Sequence, residues 1–234
     1  SPPRQLSVRG RVMTDRLELM LEQGIRELAL GVPANAQPKL LHYLHLIVKW
    51  NKRFNLSGIT SIQEMVPLHL LDSLAVSPYL EGTQILDIGS GAGLPGIPLA
   101  IANPDKNFVL LDSNGKKTRF LFQVKVALEL ENVEVVNARV DEYFEECSKE
   151  FSLITCRAFS SLTSIVKMSE TPLMQGTQLL AMKGVYPHEE IAELEQFNTA
   201  NKTASDAFVV KRITELLIPG IESKRHLVLI GSEA

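Results

Sequence analysis

The stretch ILDIGSGAGLPG, residues Ile85 to Gly96, concentrates the residue types in this chain best suited to holding a ligand. Read from Gly91 it is G-x-G-x-x-G, the fingerprint of a dinucleotide loop, but read from Asp87 it is D-x-G-x-G-x-G. Both readings need glycines, which let the main chain adopt positive φ and approach a ligand closely. Both also place the ligand beyond the carboxyl ends of the strands of an open α/β sheet, where the turn after ILDI falls. Asp87 separates them. A dinucleotide puts a doubly anionic pyrophosphate over this turn, and a carboxylate at its mouth would repel it. S-adenosylmethionine has no phosphate and offers an ammonium and a sulfonium, for which a carboxylate is attractive. Asp87 therefore favours the methyl donor as cofactor over NAD.

Two further acids follow later strands. Asp112 ends the run NFVLLD, where a carboxylate can accept hydrogen bonds from both ribose hydroxyls of an adenosine cofactor. Asp141 follows VEVVNARV, a position suited to receiving the adenine amino group. Three acids after three successive strand runs are a more specific signal than the glycine turn alone.

The elements that must carry these residues divide the chain. From Thr14 to about Leu80 apolar residues recur at helical spacing, as in Leu17, Leu21, Ile25 and Leu28, then Leu40, Leu44 and Ile47. Gly31 with Pro33 is expected to stop the first helix, and Ser61 to Glu64 has the spacing of a capping box. We expect a loose tail over 1–13, a helical cap over 14–80, and a cofactor-binding domain over 81–234. In that last region QILDI, NFVLLD, VEVVN, FSLITC, QLLAMK, AFVVKRITEL and RHLVLIG alternate with helical stretches, among them Leu94–Asn103 and Lys116–Leu130. The pattern predicts an α/β fold: a Rossmann-like, mainly parallel sheet flanked by helices. The last two runs leave no room for a crossover helix and predict a terminal antiparallel hairpin.

Composition narrows the function. The 234 residues, 45% of them apolar, suffice for one sizeable core plus a smaller appendage. A net charge of −3 creates no global field for nucleic acid, so an RNA partner must meet local basic patches. Lys49, Lys52 and Arg53 form one such group, and Lys116, Lys117, Arg119 and Lys125 a second. The two cysteines, Cys147 and Cys156, fit free thiols in the cytoplasm, and no apolar stretch approaches the roughly 20 residues of a membrane helix. The five histidines are scattered, which argues against a metal, and no G-x-S-x-G elbow or phosphate-loop lysine motif is present.

DIGSGAGLPGIPLAI, with KWNKRFNLS upstream and CRAF and MKG downstream, resembles the bacterial RsmG/GidB methyltransferases from about Leu40 onward. The resemblance implies transfer of a methyl group from S-adenosylmethionine to guanine N7 in 16S ribosomal RNA, within the small subunit; separately, a monomer is expected. It implies cofactor contacts at Gly89, Leu94, Val140, Asp141 and Arg157; Gly91 and Asp112 are reached from the residues as well. It also implies RNA-facing or catalytic roles for Asn55, Lys116, Lys117, Arg139, Arg157 and Lys183. Ser160 and Asp112 stand where many relatives have Ala and Glu. The same cofactor core would serve a methyltransferase for another RNA or a small molecule, but two basic clusters favour RNA. An oxidoreductase is disfavoured by Asp87, and an RNA-binding module without catalysis by the intact glycine loop.

Overall fold

The computed structural model describes residues 8–157, 160–203 and 205–233. A seven-stranded sheet with the order β3-β2-β1-β4-β5-β7-β6 forms its centre. The strands are β1 (Gln84–Ile88), β2 (Asn107–Asp112), β3 (Val133–Asn137), β4 (Leu153–Arg157), β5 (Gln178–Lys183), β6 (Phe208–Leu216) and β7 (Arg225–Ser232). β1 to β5 pair in parallel, while β7 runs antiparallel to both β5 and β6, the second pairing being the one the short LIPGIESK connection requires. β6 carries a register shift between Val210 and Arg212.

Alternate strand residues feed two cores. Ile85, Phe108, Leu110 and Leu153 face one side with the N-terminal helices, and Leu86, Ile88, Leu111 and Ile154 face the other. The N-terminal region comprises α1 (Val8–Glu27), α2 (Ala36–Asn51), α3 (Ile62–Met65), a π-helical segment (Val66–Leu71), a closing turn α4 (Asp72–Leu74) and a 3-10 turn (Ser77–Tyr79). Leu21, Leu40, Leu44 and Leu70 lie in the same continuous core as Phe108 and Leu110, so the cap is the covering layer of one sheet face. The remaining helices are α5 (Gly96–Ala102), α6 (Gly115–Ala127), α7 (Val140–Glu146), α8 (Leu162–Met168), α9 (Glu170–Met174) and α10 (His188–Asn201).

Four local expectations are corrected. α1 begins at Val8, so 8–13 belong to a helix and not to a loose tail; 1–7 lie outside the described residues. α1 also ends before Gly31: Ala29 takes φ +53°, and Ala29 N–H and Leu30 N–H donate to Arg26 and Ile25 carbonyls, a C-terminal motif usually built on glycine. Glu129, at φ +53°, closes α6 in the same way and shortens it by three residues relative to Leu130. Ser61 does precede α3, but its side chain makes no capping hydrogen bond.

Candidate functional site

The turn after β1 is built by its glycines and by Asp87. Gly89, Gly91 and Gly93 have φ of +61°, +59° and +97°, a conformation that other residues rarely adopt. A Cβ on Gly96, at the start of α5, would lie 2.3 Å from Leu110 Cδ2 and 2.7 Å from Asp87 Oδ2. Asp87 itself is fully buried. Its Oδ2 accepts from Ser90 Oγ at 2.7 Å and Gly96 N–H at 3.1 Å, and its Oδ1 accepts from Thr155 Oγ1 at 2.8 Å. Burial pushes the carboxyl up to about 6 despite these donors. This corrects the expectation that Asp87 meets the cofactor's ammonium directly: it lies beneath the turn and shapes it.

Asp112 works from above. Its Oδ2 accepts from Gly91 N–H and its Oδ1 from Asn114 N–H, both at 2.8 Å. A carboxylate has about four acceptor sites, so these contacts orient the group and leave capacity for ribose hydroxyls. Asn114 in turn caps α6, accepting from Lys116 and Lys117 N–H.

A cleft of about 550 Å³ opens beyond the ends of β1, β2 and β3, lined among others by Gly89, Asp112, Arg139, Val140, Asp141 and Met168. This volume falls in the roughly 300–1,000 Å³ range of small-ligand sites. Its chemistry, a glycine turn, a carboxylate at the second strand end and an apolar residue beside an acid at the third, fits an adenosine cofactor. Asp141 is exposed and held by Arg139, whose Nε and Nη2 reach its two oxygens at 3.2 Å. That pairing, together with the backbone, holds the Asp141 carboxyl below its ordinary range.

A second cleft of about 290 Å³ is lined by Arg53, Phe54, Asn55, Lys116 and Lys117, and shares Asn114 and Lys117 with the first. Asn51 shapes its rim: its side chain donates to Ser57 O and accepts from Leu56 and Ser57 N–H, turning Asn55 outward. Ser57 Oγ also meets His69 Nε2 at 2.7 Å, and burial with Arg157 nearby pushes His69 down to about 4. Lys116 Nζ lies 5.8 Å from the centre of the Phe54 ring. Lys52 is exposed but does not line either cleft.

Three predicted residues are engaged elsewhere. Leu94 is buried in the turn, its N–H on Ser90 O. Lys183 donates to Glu190 Oε1 at 2.8 Å and to Ser160 O at 2.9 Å with its side chain only 10% exposed, so it anchors the segment after β4 and does not face RNA. Arg157 Nη2 donates to Asp72 Oδ2 at 3.0 Å and to Leu68 O at 3.1 Å, tying the sheet to the cap. Ala158 and Phe159 of the CRAF motif lie outside the described residues.

The residues that sequence reasoning missed come chiefly from the cap. Tyr43, fully buried on α2, donates to Ala92 O of the glycine turn at 2.6 Å, and burial raises its pKa. Asp72 and Arg225 join Arg157 in one ion cluster. Only Asn114 left a signal, a capping residue ahead of a basic helical stretch. Among the described residues there is no group of metal-ligating side chains and no helix long and apolar enough to cross a membrane.

A family model described as rRNA small subunit methyltransferase G (GidB) matches residues 36–222. The ribosomal RNA small subunit methyltransferase G of Pseudomonas aeruginosa strain LESB58 is 46% identical over 215 residues, covering 92% of this chain and 95% of that protein. That of Laribacter hongkongensis is 43% identical over 211 residues, covering 90% and 96%. Among solved structures, cofactor-bound Rv0187 from MTB superposes with a TM-score of 0.55 at 13% identity, over 84% of this chain and 90% of that one. M. capricolum TrmK in complex with S-adenosyl-homocysteine gives 0.53 at 14%, over 70% of each chain. These two likenesses concern the fold, whereas the sequence match spans nearly the whole chain. The chain therefore belongs to the rRNA small subunit methyltransferase G (GidB) family.

Proposed function

We propose that this protein transfers the methyl group of S-adenosylmethionine to N7 of a guanine in 16S ribosomal RNA, as a monomer in the cytoplasm and on a small-subunit target. The observation that carries the reading is the pair of joined clefts: one lined by Asp112 and Asp141, the other by Arg53, Asn55 and Lys116, with Asn114 and Lys117 common to both. A cofactor side and a polyanion side thus share a wall.

When bound, the cofactor supplies an electrophilic methyl group on a sulfonium. Asp112 would accept from its ribose hydroxyls, Val140 would pack on adenine, and Asp141 would accept from the adenine amino group. Guanine N7 carries a lone pair and no proton, so the residues need to align the reactants and not to remove a proton. Arg53, Lys116 and Lys117 would neutralise backbone phosphates, and Asn55 would close the site from the cap. Arg139 is placed to take either a phosphate or guanine O6 when it yields part of its contact with Asp141. A net charge of −3 favours weak, salt-sensitive binding to free RNA and a requirement for a shaped target.

The test is methyl transfer from tritiated S-adenosylmethionine to small subunits, or to bare ribosomal RNA, from cells lacking the endogenous activity, followed by nucleoside mapping. Label in 7-methylguanosine is expected. Cofactor binding with label in another nucleoside would overturn the N7 assignment.

A further inference from the structure

Among the described residues, Phe54 is the one aromatic side chain lining either of the two joined clefts. Its main chain is held before any ligand arrives. Phe54 N–H donates to Trp50 O at 3.0 Å where α2 ends, and Phe54 O accepts from Leu56 N–H at 2.9 Å. Asn51 Oδ1 fastens the far side of the turn by accepting from Leu56 and Ser57 N–H. Trp50, Leu56 and Ile59 pack against the core, whereas the Phe54 ring stays partly exposed at the cleft.

The ring is backed by two others. Its centroid lies 5.6 Å from that of Trp50, which in turn lies 5.5 Å from that of the fully buried Phe120 in an edge-on contact. A column of three rings thus runs from the core to the cleft. Lys116 Nζ lies over Phe54 at 5.8 Å from the centroid, near the outer limit for a cation on a ring, so an arriving flat group can displace it at little cost. The lysine is then free for an anion, beside Arg53 and Lys117 of the same cleft. An aromatic face bordered by cations is the combination that holds single-stranded nucleic acid: the cations follow the phosphates and the ring stacks a base. Bases stacked inside a duplex cannot reach such a ring, whereas those of loops and bulges can.

We propose that Phe54 is the stacking platform for an unpaired base of the RNA substrate, with Lys116 moving from the ring to a phosphate of the same strand. This rests on the RNA-methylation reading given above. The test is binding to small subunits from cells lacking the endogenous activity, over a salt series, for wild type, Phe54→Leu and Phe54→Tyr. Phe54→Leu should bind about 10-fold more weakly with the slope of log affinity against log salt unchanged, because a stacked base releases no counterions. Phe54→Tyr keeps a ring and should bind within about 3-fold of wild type. Both variants should bind S-adenosyl-homocysteine as wild type does, a readout that damage to α2 and its Tyr43 contact with the glycine turn would move. Wild-type affinity in Phe54→Leu, an equal loss in Phe54→Tyr, or a reduced salt slope would overturn the proposal.

Should Phe54→Leu fail to fold, wild-type protein carries the same question through Trp50, the one tryptophan of the chain. Its emission should change when a short single-stranded RNA binds and stay constant with an abasic strand of the same length, since only a base stacks on the ring column. An equal response to both strands, or none to either at saturation, would overturn the platform. Methyl label in a different nucleoside would overturn the N7 reading and leave Phe54 in its role. Wild-type protein that binds no small subunits would overturn the RNA reading and the platform together.

Discussion

Asp87, the penultimate residue of β1, and Asp141, in the first turn of α7 after β3, both stand near the carboxyl end of the sheet, yet the fold uses them in opposite ways. Asp87 is fully buried and its two oxygens serve Ser90, Gly96 and Thr155. Asp141 has a side chain 55% exposed and pairs with Arg139 at the cleft wall. The first therefore sets the shape of the turn, and the second is available to a ligand that can compete with an arginine. Depth below the surface, and not position after a strand, decides which acid builds a site and which one meets its contents.

The largest expected effect lies on the buried side. Gly96→Ala would push a methyl group into Leu110 and the Asp87 carboxylate, and should cost about 3 kcal/mol or more in urea unfolding. A loss under about 1 kcal/mol would mean that the turn is not packed as described.

The next sharpens the comparison through pH. Burial raises the folded-state pKa of Asp87 from 3.8 to about 6, so the neutral form favours folding. The sign follows: this stability is fully present below about pH 4 and is lost as pH rises through about 6. A two-unit shift corresponds to about 3 kcal/mol. Relative to Asp87→Asn, the wild type should lose up to that amount between pH 4 and pH 7; parallel profiles would contradict a desolvated carboxyl.

Smaller effects belong to the exposed side. Lys117→Ala, at the wall common to both clefts, should leave stability unchanged and reduce the slope of log affinity for RNA against log salt by about 1. The smallest is Arg139→Gln. Its ion pair with Asp141 is exposed, so the unfolding midpoint should not move, and any effect should appear in binding alone.

Much of this arrangement was legible in the sequence. The runs QILDI, NFVLLD, VEVVN and QLLAMK coincide with β1, β2, β3 and β5, because β-branched and leucine-rich runs between helices have few other uses in an α/β fold. The glycine turn and Asp112 were placed for the same reason: their spacing from a strand end is local. Asp87, Lys183 and Arg157 were recognised as special but misjudged in what they touch. Their partners, Thr155, Glu190 and Asp72, come from distant segments, and no local pattern signals such pairings. The cap was read as a covering helical layer, but the contact of Tyr43 with Ala92 spans 49 residues and leaves no periodic trace.

The most direct test of this division is calorimetric titration of S-adenosyl-homocysteine into two near-isosteric variants. If Asp87 builds the turn and Asp112 meets the cofactor, Asp87→Asn should bind within about 3-fold of wild type at pH 7, while Asp112→Asn should weaken binding about 10-fold or more. Equal losses in both, or a loss confined to Asp87→Asn, would contradict the account and return Asp87 to direct contact with the cofactor.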